Sequence, residues 1–173
     1  MRVILITGGT SGVGYETAKL FSQEENTKVI SLSIGLDNIE KAKKKLPNAD
    51  FLQCDVSDYN ALVKIAEQVE QKYGKIDVLV NNAGTIIPGN IETLAVDDWD
   101  KVIKNNFSSY FYVSKAFLPL LKKGTNPNIV CISSISATAG GSSIAYSCAK
   151  AGVNMIAQTL AKDLAQYNIR VNT

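Results

Sequence analysis

Tyr146 and Lys150 stand four positions apart in Tyr146-Ser147-Cys148-Ala149-Lys150, within a stretch whose apolar residues recur at helical spacing. With about 3.6 residues per turn, that separation stacks both side chains on one face of a helix. An ammonium beside a phenol oxygen favours the phenolate. A free phenol titrates at about 10, and each unit of lowering takes about 1.4 kcal/mol of preference for the charged form. Such a pair can make Tyr146 a proton donor or acceptor near neutral pH. Tyr and Lys also meet at this spacing on helices that carry no chemistry, so the surrounding elements have to decide.

Composition removes several other chemistries. The chain of 173 residues contains no His, which excludes Ser-His-Asp and Cys-His nucleophile relays and His-ligated metals. Its three cysteines, Cys54, Cys131 and Cys148, form no Cys-x-x-Cys and are odd in number, as expected of reduced thiols in a core, with no metal site. Eighteen basic against sixteen acidic residues give +2. The cluster Lys41, Lys43, Lys44 and Lys45 reads as a solvated helix face, so no nucleic-acid partner is implied. The N-terminus enters a strand pattern without a leader, and no apolar run approaches a membrane span. These features predict a cytoplasmic protein with no membrane partner. A hydrophobic content of 46% over this length suits one domain, residues 1–173.

The elements that must position the pair come in a regular order. Val3-Ile4-Leu5-Ile6 is a continuous aliphatic run of the kind buried on both faces of a parallel sheet. Thr7-Gly8-Gly9-Thr10-Ser11-Gly12-Val13-Gly14 follows, then a helical pattern expected to face Thr17, Leu20 and Phe21 inward. Strand, glycine turn and helix together can hold a pyrophosphate, because close backbone, free N–H groups and the helix dipole all favour an anion. The same turn could exist without a ligand. A second strand, Lys28 to Leu32, leads to Ser33, where dinucleotide folds place a carboxylate for a free ribose 2′-hydroxyl or an arginine for a 2′-phosphate. Neither is present. A helix from Asp37 to Leu46 stops before Pro47, and the third strand, Phe51 to Cys54, runs into Asp55-Val56. Asp55 lies at a ligand-binding sheet edge, or is simply a turn cap.

Ser57 is the expected N-cap of a helix with Leu62, Ile65, Ala66 and Val69 on one stripe, ending near Gly74. Val78-Leu79-Val80 is a fourth strand and opens into Asn81-Asn82-Ala83-Gly84, a turn small enough to admit a flat ring beside the backbone. A helix then carries Trp99, Val102, Ile103, Tyr110, Val113 and Phe117 on its apolar face, with Asn106 among them. A buried amide needs partners, so Asn106 is either a satisfied structural bridge, favoured by position, or part of a site. Ile129 to Ile132 forms a fifth strand, Ser133-Ser134 opens a loop of small residues, and the helix from about Ser143 to Gln166 bears Tyr146 and Lys150. Ile169-Arg170-Val171 begins a sixth strand.

Thr7-Gly8-x-x-x-Gly12-x-Gly14, Asn81-Asn82-Ala83-Gly84, Asn106, Ser134 and Tyr146-x-x-x-Lys150, in that order, resemble the short-chain dehydrogenases and reductases over the whole chain. The resemblance implies an α/β fold: a Rossmann-type, doubly wound parallel sheet in three αβα layers. It also implies a chain truncated at the start of the sixth strand, lacking the family's last strands and substrate lid. By this resemblance Tyr146 is the general acid or base at the substrate oxygen, Lys150 lowers its pKa and binds the nicotinamide ribose, and Ser134 steadies the substrate oxygen. Asn106 would be exposed by a break in its helix and would anchor a proton-relay water. The coenzyme, NADP or NAD with a lean to NADP because Ser33 carries no charge against a 2′-phosphate, would lie against Gly8, Thr10, Ser11, Gly12, Val13, Gly14, Ser33, Asp55, Val56, Asn82, Ala83 and Gly84, besides Tyr146 and Lys150. A small alcohol or carbonyl substrate and a homodimer or homotetramer, paired through the helices of Asn106 and Tyr146, are implied as well. The alternative kept open is a dinucleotide-binding or regulatory relative without catalysis.

Overall fold

The computed structural model describes residues 1–173. Its six strands are β1 (Arg2–Thr7), β2 (Thr27–Ser33), β3 (Asp50–Gln53), β4 (Val78–Asn81), β5 (Asn128–Cys131) and β6 (Arg170–Asn172). They form one sheet in the order β3-β2-β1-β4-β5-β6, and every neighbouring pair is parallel. Each crossover is helical: α1 (Gly12–Phe21), α2 (Leu36–Lys45), α3 (Tyr59–Tyr73), α4 (Val96–Ile103) with α5 (Ser109–Leu121), and the short α6 (Ser136–Ala139) with α7 (Ile144–Leu164). The fold is the expected Rossmann-type α/β sandwich.

Alternation along β1 explains the layers. Successive strand residues point to opposite faces, and here Val3 and Leu5 join a core built with α3, α5 and α7, while Ile4 and Ile6 join one built with α1 and α2. A strand covered on both sides needs an unbroken aliphatic run, which is what this segment supplies. The strand order reverses between β1 and β4, so the two chains leaving those strands diverge and open a crevice at their carboxyl ends.

Several local expectations are corrected. Leu20 is exposed, and α1 seats itself on Gly14 and Ala18 instead. A helix brought close by a glycine turn packs on its small side, leaving no room for Leu20 underneath. The cap of α3 is Asp58, whose carboxylate accepts from the N–H groups of Asn60 and Ala61; Ser57 is buried one residue earlier. Gly74 closes that helix in the left-handed conformation, φ 74°. Of the three thiols, Cys54 and Cys131 are in the core as expected but Cys148 is exposed. The Lys41 to Lys45 cluster does form an exposed face of α2 around buried Ala42. No helix is long and apolar enough to cross a membrane.

Candidate active site

A crevice of about 820 Å³ runs along the carboxyl ends of the strands. It is bordered by Gly8, Thr10, Ser11 and Val13 after β1, Ser33 at the end of β2, Asp55 and Val56 after β3, Asn82, Ala83 and Gly84 after β4, and Asn106, Ser134, Tyr146 and Lys150 from the far half of the sheet. Residues spread over most of the sequence therefore meet on one surface. Gly12 and Gly14 stand behind it and shape the turn.

Gly14 shows why the turn is tight. A Cβ there would collide with the Asn82 amide and the Gly8 carbonyl, so only a bare backbone lets α1 start this close to the loop after β4. Ser11 precedes α1 without a side-chain cap, and no acidic residue occupies the first turn. Uncapped N–H groups at the positive end of a ten-residue helix suit a phosphate. At the second loop, the Ser33 hydroxyl is buried with no protein partner, an orphaned polar group on the crevice wall. Asp55 holds its own turn by accepting from the Ser57 N–H at 2.8 Å, so the cap role expected of it coexists with a place on the crevice wall.

Asn82 locks the two central loops together. Its N–H and that of Ala83 donate to Thr7 Oγ1 at 3.0 and 2.9 Å, and its side-chain amide donates to the Thr7 carbonyl at 2.9 Å. Asn106 fastens the next residues. The helix breaks into a π turn over Lys104–Ser108, as the resemblance implies, but Asn106 is fully buried instead of exposed. Its Nδ2 donates to the carbonyls of Thr85 (2.7 Å) and Val102 (2.8 Å), and its Oδ1 accepts from the Thr85 N–H (3.0 Å). Both amide donors are used. The side-chain amide bridges the loop after β4 to its own helix, while the residue also borders the crevice.

At the far end of the crevice, Ser143 caps α7 by accepting from the Tyr146 N–H, which fixes where the Tyr-Lys pair begins. Ser134 Oγ accepts from the Ser136 N–H at 3.1 Å and borders the crevice, whereas Ser133 turns its hydroxyl toward the Lys150 carbonyl at 3.4 Å. Tyr146 is half-buried and Lys150 is buried. Both face the crevice as helical stacking predicts, with the Lys150 ammonium 5.6 Å from the Tyr146 ring centre. Its hydrogen bonds go elsewhere: to Tyr110 Oη at 3.0 Å and to the Ile132 carbonyl at 2.6 Å. Loss of solvent lowers the Lys150 pKa to about 8, leaving it mostly protonated at pH 7. Burial pushes the Cys131 thiol up to about 11, against opposing help from Asn81 and Lys150.

Sequence reasoning missed Tyr110 and Ile132 as participants, and, for Thr85, the part played by its backbone. Ile132 and Thr85 act through backbone, which leaves no trace in side-chain type, and Tyr110 reads as one more aromatic on an apolar face.

A family model described as short chain dehydrogenase matches residues 2–173. The chain belongs to that family. It is 40% identical to the 3-oxoacyl-(acyl-carrier-protein) reductase FabG of Thermotoga maritima, covering 99% of this chain and 71% of the relative. Among solved structures it is similar to ligand-free aldohexose dehydrogenase of Thermoplasma acidophilum, with a TM-score of 0.88, 32% identity and coverage of 99% of this chain and 64% of the other. A short chain oxidoreductase of Pseudomonas aeruginosa, solved with NADPH bound and with a catalytic center described as atypical, matches with a TM-score of 0.91 and 29% identity over 99% of this chain and 69% of that one. The chain thus spans about two thirds of the length of these proteins.

Proposed function

We propose that the chain carries the coenzyme-binding and proton-transfer parts of an NAD(P)-dependent oxidoreductase acting on an alcohol or carbonyl. The observation that carries this reading is the convergence, along one crevice at the sheet's carboxyl edge, of an uncapped helix N-terminus, the Ser33 and Asp55 loops and the Tyr146, Ser134 and Lys150 side chains. The residues present fit a dinucleotide: Gly8 and Gly14 let the turn after β1 close against Asn82 and Ala83, the N-terminus of α1 is left uncapped, and the orphaned Ser33 hydroxyl offers a polar partner for a ribose. The NADPH bound by the Pseudomonas relative, together with the uncharged Ser33, supports a preference for NADP. The reductase and dehydrogenase names of the other relatives support a carbonyl or alcohol substrate.

When bound, a nicotinamide coenzyme supplies or takes up the hydride. The chain's own residues do the rest. Tyr146 gives its hydroxyl proton to the oxygen of a carbonyl being reduced, or takes the proton of an alcohol being oxidised. Ser134 holds that oxygen by a hydrogen bond, and the positive charge of Lys150 stabilises the developing alkoxide. Thr85 and Ile86 on the crevice rim supply a wall for the substrate. Exposed Phe111 on α5 and Met155 on α7 support self-association through these helices.

A second reading, coenzyme binding without turnover, is favoured by one observation: the Lys150 ammonium donates to Tyr110 and Ile132 and not to Tyr146. One experiment separates the two. Titration with NADPH and NADH, followed by an alcohol and carbonyl panel, should give binding and turnover, and Tyr146→Phe should keep the binding while lowering kcat at least about a hundredfold. Retention of activity within tenfold of the parent refutes the role of Tyr146. Binding with no turnover of any panel member leaves the second reading.

A further inference from the structure

Tyr110 and Lys150 close a hydrogen-bonded triangle with the Ile132 carbonyl behind the crevice. The Lys150 ammonium donates to Tyr110 Oη at 3.0 Å and to Ile132 O at 2.6 Å, and Tyr110 Oη lies 3.0 Å from the same carbonyl. Only one arrangement of protons satisfies it. A carbonyl cannot donate and an ammonium cannot accept, so the phenol gives its proton to Ile132 and its lone pair to Lys150. The group is nearly dry, with Tyr110 at 1% and Lys150 at 3% exposure.

The triangle has a chemical consequence because the phenol stays neutral. Burial, with lesser contributions from Cys131 and Tyr146, pushes the Tyr110 hydroxyl well above its ordinary range. It therefore accepts from the ammonium without cancelling its charge. The titratable groups around Lys150 are Tyr110 on α5, Cys131 on β5 and Tyr146 on its own helix, and no carboxylate pairs with it. The positive charge thus has no counter-ion, and two of its three N–H groups are committed to the back wall. The third is uncommitted, and the Tyr146 ring centre lies 5.6 Å from the ammonium.

We propose that Tyr110 is a positioning residue that tethers the Lys150 ammonium to the rear of the crevice and so keeps it protonated and held beside the Tyr146 ring. The proposal rests on the reading of Tyr146 and Lys150 given above. Tyr110→Phe removes the acceptor while keeping the ring. An ammonium in a dry site that loses a hydrogen-bond acceptor gives up its proton more readily.

The test follows the Lys150 side-chain carbon next to the amine by NMR across pH in the unliganded chain, with Lys150→Met to identify the signal. The midpoint in the parent is expected near 8, and in Tyr110→Phe about one pH unit lower. In turnover, the alkaline limb of kcat/KM should move to lower pH by the same amount. A loss of packing alone would lower Tm and leave both midpoints in place, and that outcome overturns the proposal. Tyr110→Leu, which also lacks the hydroxyl, must repeat the shift; a normal midpoint there overturns it equally. Failure of the parent to turn over any alcohol would sink the enzymatic reading alone, since the NMR midpoint is read without coenzyme or substrate.

Discussion

Asn82 grips Thr7 with both its backbone and its side chain: the N–H reaches Thr7 Oγ1 at 3.0 Å and the amide Nδ2 reaches the Thr7 carbonyl at 2.9 Å. These bonds cross the place where the strand order reverses, so they set the width of the crevice. Thr7 is 2% exposed, and its hydroxyl also accepts from the Ala83 N–H. Thr7→Val keeps the shape and strands two part-buried donors, the Asn82 and Ala83 N–H groups. A loss of about 1–3 kcal/mol in urea-derived stability is expected, together with weaker coenzyme binding by calorimetry. Unchanged stability would mean that water replaces the hydroxyl.

Gly84→Ala tests the second lock. A Cβ at position 84 would run into Asn106 Oδ1 and come within 3.4 Å of Asn106 Cγ, forcing the amide off Thr85. Overpacking of this kind costs about 1–3 kcal/mol. Thermal melts should record that loss, and the Thr85 amide should exchange with solvent faster, because its acceptor is the displaced oxygen. Slow exchange in the variant would contradict the bridge assigned to Asn106.

Asp50 contributes to the acid limb of stability, alongside Asp77, whose carboxylate is likewise held below its ordinary pKa, against burial, by hydrogen bonds. Burial raises the Asp50 pKa, but hydrogen bonds from Lys28, Lys72 and Tyr73 outweigh that and bring it from 3.8 to about 2. The ammonium groups stand 2.8 and 2.5 Å away. Because the folded-state pKa is the lower one, the gain is full above the unfolded value of 3.8 and disappears as pH falls toward about 2. Asp50→Asn should cost about 2 kcal/mol at neutral pH. Its urea midpoint should also vary less than the parent's across that acid window; parallel curves would disprove the assignment.

Much of the fold was legible because parallel strands buried on both faces must be aliphatic throughout, as in Val3 to Ile6, and because glycines cluster where backbone must approach backbone. The direction of individual side chains was harder to read. Leu20 has the right type for a core but lies on the wrong side of a helix that is seated on Gly14 and Ala18. Asn106 was legible as a buried amide, yet its partners are backbone groups of Thr85, which composition cannot point to. The spacing of Tyr146 and Lys150 fixed their shared face. It could not tell that the ammonium would turn to Tyr110, which is distant in sequence and contributes through a single oxygen.

The π turn at Lys104–Ser108 holds one residue more than an α-helical turn would. On a screw with about 3.6 residues per revolution, one residue is worth roughly 100° of rotation. Everything downstream on α5 is therefore clocked by that insertion. Relative to α4, that extra residue turns residue 110 toward β5, where its oxygen meets the lysine. The aim of the ammonium is thus written in the winding of a neighbouring helix.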